Sequence, residues 1–255
     1  RNQAVTHQLV DTERGQAEYL RSSSSGASIN DATSRLTSFN GDGFSLGTGG
    51  EVNNSTRDYA SWTFAKQKGF FDIVTWTGDY TFPREIPHNL GSTPGMVIIK
   101  KTSGNEYWMV RHSALPELDF LWLNENDGAL SATGNPPFGM NDTHLTFDSQ
   151  TWSTYTNGAG HEYVAYLFAD DAPMFGPDGD ESIIKCGGYT GTGTDNFVDV
   201  GWEPQWLLIK NTTISRDWLL VDAMRGIPTG ANDAYLRPND PDAEFYGNNM
   251  HLDAE

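Results

Sequence analysis

The chain has 255 residues, 37% hydrophobic, 20% charged and 12% aromatic, with 27 Gly, 12 Pro and 8 Trp; it has room for one large domain or two ordinary ones, and its aromatic and glycine load points to strands and turns rather than disorder. Sixteen basic residues against thirty-four acidic ones give a net charge of −18, a field that repels phosphate backbones and anionic lipid and so argues against nucleic acid as a partner. The single cysteine, Cys186, leaves no intrachain disulfide and no CxxC metal cluster, and no apolar run nears the roughly 20 residues of a membrane span.

In chain order, Leu9-Val-Asp-Thr-Glu-Arg-Gly15 is the first distinctive segment, and Ser22 to Ser25 with Gly26 reads as a loop. Gly41-Asp42-Gly43 reads as a hairpin turn. In residues 59–64, Ala60, Trp62 and Phe64 alternate with Tyr59, Ser61 and Thr63, which predicts a half-buried strand. Gln67-Lys68-Gly69 is a short linker, and residues 71–78 resume strand composition. Gly91-Ser-Thr-Pro94 sets a rigid proline before the apolar run 96–100. Residues 108–112, 121–124, 143–147 and 163–169 read as further strands, with Asn157-Gly158 as a turn. Residues 170–181 form an Asp-, Gly- and Pro-rich linker, which stops both helix and ladder. Strand-like segments then resume at 183–191, 206–210, 218–222 and 235–239. Helical periodicity is nearly absent, and short aromatic and β-branched runs between turns predict an antiparallel sandwich or jelly roll.

Several of these segments recur. Residues 88–100 return as 198–210, with Gly91 matched to Gly201, Pro94 to Pro204 and Lys100 to Lys210, each pair 110 residues apart. Trp108 matches Trp218 at the same offset. The Leu9–Gly15 segment resembles 220–226, residues 59–65 fit 163–169, 71–78 fit 183–191, and 42–46 fit 143–147, with a weaker match at 249–252. The expected fold class is therefore all-β, made of tandem antiparallel β-sandwich (jelly-roll or lectin-like) repeats of about 100–115 residues. The expected division is the back of one repeat at 1–68, a complete repeat at 69–171, the acidic linker at 172–181 and the front of a third repeat at 182–255. Because the Leu-Val-Asp…Arg-Gly segment occurs in both end pieces, these overlap in content and are not halves of one permuted domain. The third repeat stops inside a strand, so further protein or a neighbouring chain is expected to complete its sheet.

The succession strand, Tyr/Trp-Thr-Gly, then Gly-x-x-Pro ahead of an apolar run ending Ile-Lys, then Trp-x-x-Val, then Tyr-Val-Ala-Tyr-Leu-Phe-Ala resembles repeat domains in large structural proteins of tailed bacteriophages of marine bacteria and cyanobacteria. The resemblance covers nearly the whole chain and rests on structural motifs. It implies an oligomeric virion component on the tail or capsid surface: a tail fibre, tail tip or capsid decoration that binds other virion proteins and copies of itself, and a host-surface glycan as an attachment target.

The residues offer little reactive chemistry. The alternative reading, a virion glycan depolymerase, needs two carboxylates about 5–10 Å apart. Asp11 with Glu13, Glu117 with Asp119, and Asp240 with Asp242 are two apart, but Asp11 recurs as Asp222 and becomes His112 in the complete repeat, so no acid pair survives comparison. The expected protein is therefore not an enzyme. The six histidines lack metal-binding spacing, and no cofactor is expected beyond a weak calcium candidate at Asp170, Asp171, Asp178 and Asp180. Aromatics are the better lead, because sugars stack on exposed rings. Trp108 with Trp218 and Trp62 with Tyr166 recur and are assigned to cores, whereas Trp122, Trp152 and Trp202 lack aromatic counterparts. With Tyr155 they form the candidate glycan- or partner-binding set.

Overall fold

The computed structural model describes residues 3–226 and 233–247; the segment 249–252 and the chain end fall outside them. The fold is all-β. Its helical content among the described residues is one 3-10 turn, Gln150–Trp152, and one helical turn, Ser153–Thr156. No described helix is long and apolar enough to cross a membrane.

The largest sheet has six strands in the spatial order Leu130–Ser131, Asp119–Trp122, Met109–His112, Pro94–Lys101, Glu162–Ala169 and Phe71–Thr77, with every neighbouring pair antiparallel. Tyr166 stands opposite Ile98 on one side and Ile73 on the other. A second sheet, Gly139–Met140, His144–Phe147 and Arg84–Pro87, covers one face. Trp76, Val97, Ile99, Met109 and Leu167 from the large sheet meet Ile86, Leu145 and Phe147 from the small one in a single core. The result is a β-sandwich running from Phe71 to Ala169.

The central strands show why the sheet needs a cover on both faces. All eight residues of Pro94–Lys101 are buried, as are all but the first of Glu162–Ala169. Unbroken apolar runs of this kind suit a strand shielded on two sides rather than one. Phe71, Ile73, Met96, Ile98, Val110 and Tyr166 line the second face, and it is closed by Leu20 from the N-terminal stretch and Trp218 from the C-terminal stretch. Each such side chain taken from water contributes about 1.5–3 kcal/mol.

The two flanking stretches reproduce parts of the central sheet. Gln8–Val10, Glu18–Arg21 and Ile29–Asn30 form a three-stranded sheet, and Leu36–Asn40 pairs with Gly43–Leu46 around the expected Gly41-Asp42 turn. Trp206–Ile209 pairs with Leu219–Asp222, Leu220 bridges Leu236, and Asp233–Tyr235 pairs with Phe245–Gly247.

Two expectations are corrected. Residues 59–65 and 183–191 are not strands. Their matches at 163–169 and 71–77 are held in ladders, and no described strand pairs with these two segments. β-Propensity alone does not satisfy backbone groups. The linker at residues 170–181 is mostly exposed and turns back on itself. Gly176 and Gly179 adopt φ of 78° and 71°, letting the chain fold back so that Phe175 bridges Glu181, while Ala172 enters the core. Asn157-Gly158 closes the helical turn rather than a hairpin, with Asn157 N–H donating to the Ser153 carbonyl.

Candidate functional site: interlocking joints and an aromatic cluster

The recurrent Asp and Arg form a buried clasp. Asp11 ends the Gln8–Val10 strand and accepts from the Arg14 backbone N–H (2.9 Å) and side-chain Nε (2.6 Å) through its two oxygens. Tyr166 of the central sheet donates its hydroxyl to Asp11 (2.8 Å), and Arg14 donates to that hydroxyl (3.1 Å). Burial works against the Arg14 charge, but Tyr166 and Asp11 outweigh it, so the guanidinium is held above its ordinary value. Burial, reinforced by Asp11, pushes the Tyr166 phenol up.

The same construction recurs at Asp222, which accepts from Arg225 N–H (2.9 Å) and Nε (2.6 Å). Here the aromatic partner is Trp62, whose Nε1 donates to Asp222 (3.2 Å) while the Arg225 guanidinium lies 5.4 Å from its ring centre. Two residues matched by sequence, Tyr166 and Trp62, thus do equivalent work on two equivalent clasps. His112 stands at the matching position of the central sandwich.

A second joint is built on lysine. Lys100 is fully buried, and its ammonium donates to the carbonyls of Ser25 (3.0 Å), Lys101 (2.8 Å) and Glu106 (2.9 Å). Burial pushes it down to about 8, against the pull of Glu106. Lys210 repeats the pattern with Asn126 (3.2 Å), Asn211 (3.0 Å) and Arg216 (2.7 Å). Backbone bonds repeat around it as well. Ser28 N–H donates to Thr102 and Glu106 N–H to Ser25; correspondingly, Ala129 N–H donates to Thr212 and Arg216 N–H to Asn126. Both lysines sit at the end of an otherwise apolar run, which is the signal that marks them in sequence. That they are cross-links between stretches is not readable there.

Three of the four aromatic candidates come together. Trp122 lies 5.0 Å from Tyr155, Trp152 is 6.1 Å from Tyr155, and Phe120 contacts both tryptophans at 4.9 Å, with Tyr107 at 5.2 Å from Trp122. Trp122 is not a surface residue: it is buried, and its carbonyl accepts from Trp218 Nε1 (3.0 Å). The accessible rim is Tyr107, exposed, with Trp152 and Tyr155 half-buried. Buried Trp152 Nε1 has no partner among the described groups. Trp202 is exposed and stands outside this cluster.

Acids that come close share a basic partner: Glu13 and Asp72 both reach Lys66, and Asp222 and Glu244 both reach Arg225. Asp11 is tied to Arg14, and Glu13 pairs with Lys66 at 2.9 Å. Among the described residues no group of three His, Cys, Asp or Glu is placed to hold a metal ion. Asp170 instead accepts from Ser113 and from the Cys186 N–H, Asp171 faces Lys185 at 3.6 Å, and Asp178 and Asp180 are exposed. Burial pushes the Cys186 thiol up to about 12, well away from a reactive thiolate.

A family model described as a domain of unknown function (DUF7483) matches residues 1–255. No curated protein and no solved structure matches the chain.

Proposed function

The chain belongs to the DUF7483 family, and with that family's role unassigned we propose that this protein is a non-enzymatic structural module of a tailed-phage virion, built from copies of one β-sandwich repeat and acting in assembly. The observation that carries the reading is the duplicated joint: Lys100 and Lys210 each close the same set of carbonyls across two stretches. These groups tie one stretch of the chain to another. The sequence resemblance supplies the virion context, as a tail fibre, tail tip or capsid decoration. The rim of Tyr107, Trp152 and Tyr155 is the surface best suited to a host glycan, because half-exposed rings stack sugar faces while their bodies stay anchored.

The decisive experiment incubates the protein with host-surface polysaccharide and measures reducing ends, alongside mass spectrometry of density-purified virus particles. The expected outcome is no new reducing ends and recovery of the chain with the particles. Release of reducing ends would move the protein to the depolymerase class, and its absence from purified particles would remove the virion assignment.

A further inference from the structure

Three stretches of the chain carry a ring nitrogen at the same position of the repeat. The match of Leu9–Gly15 to 220–226, together with that of Trp108 to Trp218, makes His7, Trp108 and Trp218 equivalent. The strand registers locate their acceptors. Leu9 stands opposite Leu20, Val110 stands opposite Leu121, and Leu220 bridges Leu236, so Arg21, Trp122 and Arg237 are equivalent in turn. Trp218 Nε1 donates to the Trp122 carbonyl (3.0 Å), and His7 Nε2 donates to the Arg237 carbonyl (3.1 Å). Trp108 Nε1 donates to the Ser24 carbonyl (2.9 Å), three residues past Arg21 in the loop that follows it.

These bonds form a cycle. The central sandwich donates to the N-terminal stretch, the C-terminal stretch to the central sandwich, and the N-terminal stretch to the C-terminal one. The other side-chain joints keep that order. Asp11 takes its aromatic donor, Tyr166, from the central sandwich, and Asp222 takes Trp62 from the N-terminal stretch, which is the next member of the cycle in both cases. Lys100 seats on Ser25 and Lys210 on Asn126, and these carbonyls lie four residues past Arg21 and Trp122 respectively. A contact that repeats between two unlike surfaces leads either to an open row or to a closed ring. The first and third members of an open row do not meet. Here they do, through a histidine 230 positions from its acceptor.

We infer that the three stretches close into a ring about a pseudo-threefold axis, and that His7 is its latch, filling at the seam between the N- and C-terminal stretches the seat that tryptophan fills at the other two joints. The imidazole keeps the N–H that the seat requires and brings less apolar surface than an indole. The buried lysines, Lys100 and Lys210, serve the other two joints. The seam adds to His7 the Trp62 bond to Asp222 and the Ser22 hydroxyl, which donates to the Pro238 carbonyl (2.7 Å). How firmly the two end stretches are held together is therefore set by His7 with these two contacts. The ring goes beyond the assembly reading above and does not depend on the virion context.

The test uses the full chain with a protease site inserted between Asp178 and Gly179, in the exposed part of the linker. After cleavage the C-terminal fragment is held by its joint to the central sandwich and by the seam, and its dissociation constant from the remainder is read by gel filtration over a range of concentrations. The two fragments are expected to elute together. His7→Ala is expected to raise the dissociation constant about fivefold, the worth of one hydrogen bond. His7→Trp is expected to leave it unchanged or lower it, because the seat fits an indole. Fragments that separate on cleavage overturn the ring, as does a dissociation constant that His7→Ala leaves unchanged. If His7→Ala does not fold, His7→Trp decides: a dissociation constant raised about fivefold or more shows that the seat is not the one Trp108 and Trp218 occupy, and overturns the inference.

Discussion

At the scale of single residues, the groups that matter most are charged ones placed where charge is costly. Arg14 and Asp11 are 7% and 2% exposed, and each is the other's compensation. Removing one partner of such a pair leaves an uncompensated buried charge, a loss of about 3–5 kcal/mol. Asp11→Ala is therefore expected to lower the unfolding free energy in urea by that amount. Asp11→Asn keeps one acceptor oxygen but no charge, so it also leaves Arg14 uncompensated and is expected to lose nearly as much; a loss less than half that of Asp11→Ala would show that the ion pair is not the source. Sequence reading found Asp11 and Asp222 as a recurrence and weighed them as acids. It did not find that each is matched to an aromatic hydrogen-bond donor from another stretch, because Tyr166 lies 155 positions from Asp11 and Trp62 lies 160 from Asp222. The same holds for Trp122, whose lack of a counterpart suggested a surface role, although Phe120 and Tyr155 bury it.

Among elements, strand composition was a sound guide wherever a neighbour exists. The runs at 96–100 and 163–169 read as strands and are strands. The run at 59–64 alternates just as clearly but lacks a ladder, since a strand is a property of two segments and a sequence window contains one. The Ser153–Thr156 turn was invisible because four residues hold no helical period. It matters nonetheless, since fully buried Asn157 at its end ties it to the turn between the two sheets of the sandwich. Asn157 donates to the Thr81 carbonyl (2.8 Å) and to Asp79 (3.2 Å), and accepts from the Asp79 N–H (3.1 Å). The N–H and hydroxyl of Thr81, with Asn157 and Arg84, hold the Asp79 carboxyl down at about 2, against an ordinary 3.8. A carboxyl lowered in the folded state binds fewer protons there than in the unfolded chain. Its contribution is complete above the ordinary value and fades as pH falls toward 2. Between pH 4 and 2 the urea midpoint of the native protein is expected to fall more steeply than that of Asp79→Asn; parallel curves would show that this turn carries no such linkage.

Across the whole molecule, the joints close a circuit. The central sandwich reaches the N-terminal stretch through Lys100 and Tyr166, and the C-terminal stretch reaches the sandwich through Lys210 and Trp218. The N-terminal stretch reaches the C-terminal one through Trp62 and through His7, whose Nε2 donates to the Arg237 carbonyl (3.1 Å). Repetition was legible in the constant offsets, but offsets report similarity and are silent about which copy touches which. Parts joined in this manner are expected to melt together, with calorimetric and van't Hoff enthalpies equal within error. Two resolved transitions, or an enthalpy ratio well above one, would show that the stretches are independent.

The burial of Pro94–Lys101 on both faces has a mechanical corollary. The cover on its second face comes from opposite ends of the polypeptide, and the two stretches that supply it are fastened to one another, so tension applied at either terminus is passed to several connections at once and cannot peel them singly. A body organised in that fashion shares load under shear.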